Sequence, residues 1–313
     1  MKGIELSERF YLEYGEPMLK ESFPSLLPKI AVGLVGSGSE CFGYDDALSS
    51  DHDFEPGFCI FLPDEDAVDR REAFLLERAY AKLPREFMGY KRAALSPVGG
   101  NRHGVIRMSE FFEAKTGAPG GALSVTEWLT LPEESLLEAV NGKVFFDGLG
   151  RFTEIRERLS YMPRDVRLKK LAGELLMMGQ AGQYNYPRCV RRGDSAAAQM
   201  SVTEFVKSTL HVIFLLNGKY MPYYKWTFRA LSELPAMSEL YSELEYLISS
   251  GNTAPDAAKK QEIIEKICES IADKLRADGF SNYVGSEAEG HAYAVNNTVS
   301  DSEIRNLHIL CTV

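Results

Sequence analysis

Two carboxylates and a glycine-serine turn mark where this chain could do chemistry. Asp51 and Asp53 stand two apart in Ser50-Asp51-His52-Asp53-Phe54, just ahead of the apolar run Gly57-Phe58-Cys59-Ile60-Phe61-Leu62. On an extended segment that spacing turns both side chains to one face, and paired carboxylates suit hard divalent cations. Upstream, Leu34-Val35-Gly36-Ser37-Gly38-Ser39-Glu40-Cys41-Phe42-Gly43 leaves a buried strand, Ile30 to Val35, through a turn into a short helical connection. A Gly38-Ser39 pair that opens a helix offers backbone N–H groups to a phosphate, and Gly43 lets the connection pass close by. Together these residues outline a site for a metal ion and a triphosphate.

Gly38-Ser39, Gly43 four residues on, and Asp51-His52-Asp53 downstream resemble the pattern of the nucleotidyltransferase superfamily whose fold is shared with DNA polymerase beta. The wider chain is similar to a bacterial family, known only as a domain of unknown function, built from such a domain followed by a helical one. Ser96-Pro97-Val98-Gly99-Gly100-Asn101-Arg102-His103-Gly104, Gly182-Gln183-Tyr184-Asn185-Tyr186-Pro187-Arg188 and Tyr220-Met221-Pro222-Tyr223-Tyr224-Lys225-Trp226 carry that likeness. The resemblance implies an α/β (α+β) nucleotidyltransferase domain with a small mixed sheet, followed by an all-α helical bundle, with the site in the cleft between them. It implies two Mg²⁺ ions on Asp51 and Asp53, phosphates at Gly38, Ser39 and Gly43, and an NTP, ATP before the others, as nucleotide donor. It also turns Lys225 toward that cleft.

Phosphoryl transfer needs metal ions bridging the phosphates and charge neutralisation more than covalent work from the protein. The superfamily pattern adds a third carboxylate on a neighbouring strand. The strand expected over His103 to Met108 has Ile106 and Arg107 there. Glu110, just past it, ranks first as the catalytic replacement; Asp147 and Glu55 are the alternatives, with Pro56 able to turn Glu55 away. His103 could contact a phosphate or base, and His52 points to the face opposite the aspartates. Arg188, with Arg191 and Arg192 around Asp194, makes a local basic cluster whose guanidinium forks suit phosphate oxygens; the same cluster also reads as a helix-end salt-bridge network.

The elements that must hold these residues follow from periodicity and punctuation. An amphipathic helix is expected over Ser7 to Glu21 and another from Ala67 to Lys82, with an acidic start that suits the helix dipole. Gly117 to Gly121 is the expected linker, dividing the chain into residues 1–120 and 121–313. Beyond it the period is helical: helices are expected from Pro163, from Asp194 or Ser195 to a cap at Asn217-Gly218, from Pro222 to Leu231, Glu239 to Ile248 and Ala257 to Leu275. Val144-Phe145-Phe146-Asp147 could add a strand or pack against the first domain. Ser281 to Ser300 reads as an exposed loop, with a short closing helix from Asp301 to Leu310.

Bulk properties bound the function. A chain of 313 residues, 45% hydrophobic and 26% charged, can bury two sizeable cores. Its net charge of −10 disfavours nucleic acid as a partner, because gripping a phosphate backbone needs clustered cations. Five scattered cysteines without metal-ligand spacing read as buried thiols of a reducing compartment. No apolar run approaches a membrane span and the first residues lack a signal-peptide core, so a cytoplasmic protein with no membrane contact is expected. The expected reaction transfers a nucleoside monophosphate from an NTP to a hydroxyl of a small-molecule or protein acceptor, releasing pyrophosphate. A catalytically silent nucleotide-binding regulatory module and a structural, partner-binding protein are the alternatives.

Overall fold

The computed structural model describes residues 1–46, 55–92 and 103–313. The chain divides into two compact units, residues 1–124 with 131–160, and residues 125–130 with 161–313.

In the first unit a helix opens as Gly3–Phe10 (α1), widens to a π turn over Tyr11–Gly15 and resumes as Glu16–Ser22 (α2). Strand β1, Ala31–Leu34, leads through the glycine-serine turn into Ser39–Phe42 (α3). Strand β2 is Cys59–Leu62, and α4, Arg70–Ala81, starts in a capping box between Asp69 and Glu72. A short hairpin, Glu86–Phe87 (β3) and Tyr90–Lys91 (β4), precedes β5, Gly104–Arg107, and α5, Met108–Thr116. After Val125–Thr130 (α6), which belongs to the second unit, the chain returns for Glu133–Val140 (α7), Lys143–Asp147 (β6) and Arg151–Leu159 (α8).

The four-stranded sheet has the order β5-β2-β1-β6. Only β2 and β5 are parallel; β1 runs antiparallel to both β2 and β6. Strands β1 and β2 are buried throughout, which explains their unbroken apolar sequence, since helices cover both faces. Val32, Ile60 and Leu62 point to one face with Phe10, Leu19 and Leu76. Phe61, alternating to the other, stacks on Phe152 at 4.1 Å between centroids and meets Phe111 edge-on at 5.2 Å.

The strand at Val144 to Asp147 does join the first sheet, so the chain crosses to the second unit later than a division at residue 120 would have it. Pairing of Leu34 with Lys143 and Ala31 with Asp147 ties residues 131–160 to the first core.

The second unit is helical: Arg164–Met178 (α9), Tyr186–Arg191 (α10), Ser195–Leu216 (α11), Tyr224–Ser232 (α12), Tyr241–Ser249 (α13), Ala254–Ala277 (α14), Ala288–Asn297 (α15) and Ser302–Asn306 (α16). Asp194 caps α11 through the Ala197 N–H at 3.0 Å. The stretch Ser281 to Ser300 is not an exposed loop. It holds α15, which packs on α9 and buries Ala288, His291, Ala292 and Val295. Alanine is the strongest helix former, and small side chains let this helix lie close to its neighbour. Lys169, wholly buried in α9, fastens the arrangement by donating to Asn296 Oδ1 at 2.9 Å, Arg305 O at 3.1 Å and Leu307 O at 2.6 Å. Among the described residues no helix is long and apolar enough to cross a membrane.

Candidate functional site

Strand directions decide which loops meet. The end of β1 lies beside the starts of its partners: Gly33 pairs with Cys59, Cys59 with Gly104, and Leu34 with Lys143. One end of the sheet therefore receives the glycine-serine turn after β1 and the segments entering β2, β5 and β6.

The turn is built for close approach. Gly38 sits at φ 122°, ψ 146° and Gly43 at φ 72°, conformations that L side chains rarely adopt. Ser39, half-buried at the start of α3, has no partner for its hydroxyl among the described residues. Around it the backbone is held from outside. Asn141 clamps the Gly36 peptide, accepting from its N–H at 2.8 Å and donating to its carbonyl at 2.7 Å. Ser37 donates to Glu138 at 2.8 Å and accepts from Lys115 at 3.0 Å, while Lys115 and Glu138 pair at 2.5 Å. Gly142, at φ 70°, donates to Cys41 O at 2.9 Å. Arg156 closes the back by donating to the carbonyls of Val140, at 2.7 Å, and Asn141; burial lowers its pKa to about 10, so it stays charged at neutral pH.

The entry to β2 is fixed just as firmly. Ser7 donates to Gly57 O at 2.5 Å, and the Tyr80 hydroxyl donates to Phe58 O at 2.9 Å and accepts from Phe58 N–H at 3.1 Å. Burial raises the Tyr80 phenol pKa far above its usual value, so this hydroxyl keeps its proton. The result places Glu55 against His103 at the entry to β5: Oε1 and Nδ1 are 2.9 Å apart, with side-chain exposures of 23% and 10%. Asp45 is structural. Buried, it accepts from the Gly3 N–H at 2.9 Å at the start of α1 and lies 3.5 Å from Lys2, a favourable setting for a carboxylate at a helix N-terminus.

Gly38, Ser39 and Gly43 thus share one sheet end with Glu55 and His103. Asp51, His52 and Asp53 lie outside the described residues, and among those described no three His, Cys, Asp or Glu side chains gather as a metal site would require. Glu110 is elsewhere. Leu62 pairs with Arg107 at the opposite end of the sheet, and Glu110 stands exposed in the first turn of α5 beyond it, beside Arg70, Glu77 and Arg107. Four residues of strand, at about 3.3 Å each, separate it from the turn, so of the expected candidates for a third carboxylate Glu55 is the one at this end. Asp147 also ends β6 at the far side, where it accepts from the Thr153 N–H and hydroxyl, each at 2.8 Å.

The remaining expected residues belong to the helical unit. Arg188, half-buried in α10, lays its guanidinium 4.4 Å from the centroid of the Tyr184 ring. Lys225, exposed in the first turn of α12, sits 4.9 Å from the centroid of Trp226. Residues 128–227 match the model of a domain of unknown function, DUF4037. That match contains Glu138, Asn141, Arg188 and Lys225 and stops short of the glycine-serine turn. No curated protein matches the chain.

Sequence reasoning missed Asn141, Glu138 and Lys115. The Asn141-Gly142 dipeptide ahead of an apolar run was the available signal, since it marks a turn into a strand; its partner at Gly36 lies 105 residues away.

Proposed function

We propose that this protein is a Mg²⁺-dependent nucleotidyltransferase that moves a nucleoside monophosphate from an NTP, ATP first, to an acceptor hydroxyl and releases pyrophosphate. The observation that carries this reading is the convergence, at one sheet end, of a clamped glycine-serine turn and the segments entering β2 and β5. In it, Ser39 and the backbone at Gly38 hold the terminal phosphates, a role that suits a free hydroxyl at the start of a helical turn held by Asn141. Asp51 and Asp53 are the metal ligands. Their hard carboxylate oxygens fit Mg²⁺, which when bound neutralises phosphate charge. Glu55, held by His103, supplies the further carboxylate and orients the acceptor hydroxyl. The acceptor is a small molecule or a protein.

A second reading, a silent nucleotide-binding module, draws on Glu55 being tied to His103 and on the sheet strands offering no other carboxylate at this end. The test is thermal unfolding of the wild type and of Asp51→Asn/Asp53→Asn with each NTP, with and without Mg²⁺, followed by pyrophosphate release. Ligand at a hundred times its dissociation constant adds about 2.7 kcal/mol. A Mg²⁺-requiring shift lost in the double variant supports the site, and pyrophosphate release then separates the enzyme from the silent module. No shift with any nucleotide would reject both.

A further inference from the structure

The helical unit holds a cavity of about 260 Å³ that the nucleotide chemistry does not use. Arg167, Lys219, Tyr161, Met162, Leu215 and Tyr220 form its walls, and no carboxylate lines it. Arg167, in α9, is half-buried with its guanidinium 5.5 Å from the centroid of the Phe280 ring. Among the described residues that guanidinium has neither a hydrogen bond nor an ion pair, and the Lys219 ammonium has none either. Two unpaired cations facing one concavity stand out in a chain of net charge −10.

Cations beside a helix C-terminus commonly answer its partial negative charge, and α11 ends here. Three of its last carbonyls already accept from the chain's own donors. Ile213 O accepts from the Asn217 N–H at 3.1 Å and its side-chain amide at 2.9 Å, Phe214 O from the Lys219 N–H, and Leu215 O from the Gly218 N–H, each at 3.0 Å. Neither the Arg167 nor the Lys219 side chain is hydrogen-bonded to these carbonyls. Asn217 and Gly218 also line it, with the Asn217 amide bonded to Ile213 O and to the Ala236 backbone; Tyr220 is buried, while Tyr161, 77% exposed, offers its ring at the surface. The volume falls just below the roughly 300 Å³ at which drug-sized ligand sites start, so it suits only a small ligand.

We infer that this cavity binds a small organic anion with a single planar ring, an aryl phosphate or aryl carboxylate, its acid group on Arg167 and Lys219 and its ring against Tyr161 and Met162. The inference stands independently of the nucleotidyltransferase reading.

Isothermal titration of the full chain with phenyl phosphate and with benzoate, against inorganic phosphate and benzylamine, tests it. One aryl anion should bind with unit stoichiometry, at least tenfold more tightly than inorganic phosphate, and benzylamine should not bind; which of the two binds names the acid group. Arg167→Gln should weaken binding at least tenfold and Lys219→Gln by a smaller factor. Arg167→Lys, which keeps the charge, should retain most of the affinity and shows that loss in Arg167→Gln is not misfolding. No binding of either aryl anion, binding unchanged in Arg167→Gln, or equal affinity for inorganic phosphate would overturn the inference.

Discussion

Asn141 and Gly36, 105 residues apart, hold one another by two hydrogen bonds of 2.8 and 2.7 Å. The amide matches the Gly36 peptide donor to acceptor and acceptor to donor. It fixes the backbone just ahead of Gly38-Ser39, so the conformation of the glycine-serine turn depends on a loop from beyond α7.

Removing that clamp should loosen the turn and the fold together. Each neutral hydrogen bond contributes about 1 kcal/mol net, so Asn141→Ala should lose about 2 kcal/mol in urea unfolding. Asn141→Asp keeps an acceptor for the Gly36 N–H but sets a carboxylate against the Gly36 carbonyl, and should be no more stable than Asn141→Ala. Both should shrink any Mg²⁺-ATP-dependent thermal shift. A stability within 0.5 kcal/mol of wild type would mean the clamp does not hold the turn.

Gly142 permits the approach of that loop. At φ 70°, a Cβ there would overlap the Leu34 carbonyl and lie 2.8 Å from Val35 Cα. A strain-free glycine-to-alanine change stabilises a fold by about 0.4–1 kcal/mol; Gly142→Ala should instead destabilise, by about 1–3 kcal/mol, because it forces a side chain into a left-handed backbone and against the Leu34 carbonyl. Urea midpoints of the two proteins provide the comparison.

How much could be read from the chain depends on the range of the interaction concerned. The strand Ala31 to Leu34 was legible because a continuous apolar run ending in glycines is what a strand covered on both faces looks like. Helices α9, α11 and α14 were legible from their period, and Asp194 from its capping chemistry. The helix at Ala288 to Asn297 was not, because its buried face is made of two alanines, His291 and a single larger apolar residue, Val295. The positions of Glu110 and Glu55 were not legible for a different reason. Glu110 and Glu55 are both near strands in sequence, and only the direction of β5 relative to β2 says which end of the sheet each occupies. That direction is a property of strand pairing, which local periodicity does not encode.

His291 gives the helical unit an acid sensitivity. Its Nε2 lies 2.9 Å from the Gly285 carbonyl and 3.4 Å from Arg276, and its Nδ1 lies 2.7 Å from Ser281 Oγ. The carbonyl can only accept, so Nε2 carries the proton and Nδ1 accepts from the serine. Burial, with Arg276 adding to it, lowers the imidazole pKa from 6.5, against the opposing pull of the Gly285 carbonyl and Glu287. Between the folded value and 6.5 the unfolded chain binds more protons, so this contribution to stability is present above 6.5 and lost as pH falls below it, at up to about 1.4 kcal/mol per pH unit. Urea unfolding at pH 7.5 and 5.5, values chosen about one unit to either side of the ordinary imidazole pKa, should show a smaller drop for His291→Gln than for wild type. Equal drops would assign the acid sensitivity to other groups.

Glu55 and Glu110 separate the site from its mirror at the far end of the sheet. Glu55→Gln keeps an oxygen for a proton on His103 Nδ1 while removing the charge, so the 2.9 Å contact can persist and the fold should lose no more than about 1 kcal/mol. Pyrophosphate release from ATP should nevertheless fall at least tenfold, because a carboxylate that orients an acceptor hydroxyl acts through its charge. His103→Gln should fall by less, since it leaves the Glu55 charge in place. Glu110→Gln, beyond Arg107 at the opposite sheet end, should leave turnover unchanged. The reverse order, with Glu110→Gln inactive and Glu55→Gln active, would move the chemistry to the other end of β2 and β5 and remove the glycine-serine turn from it.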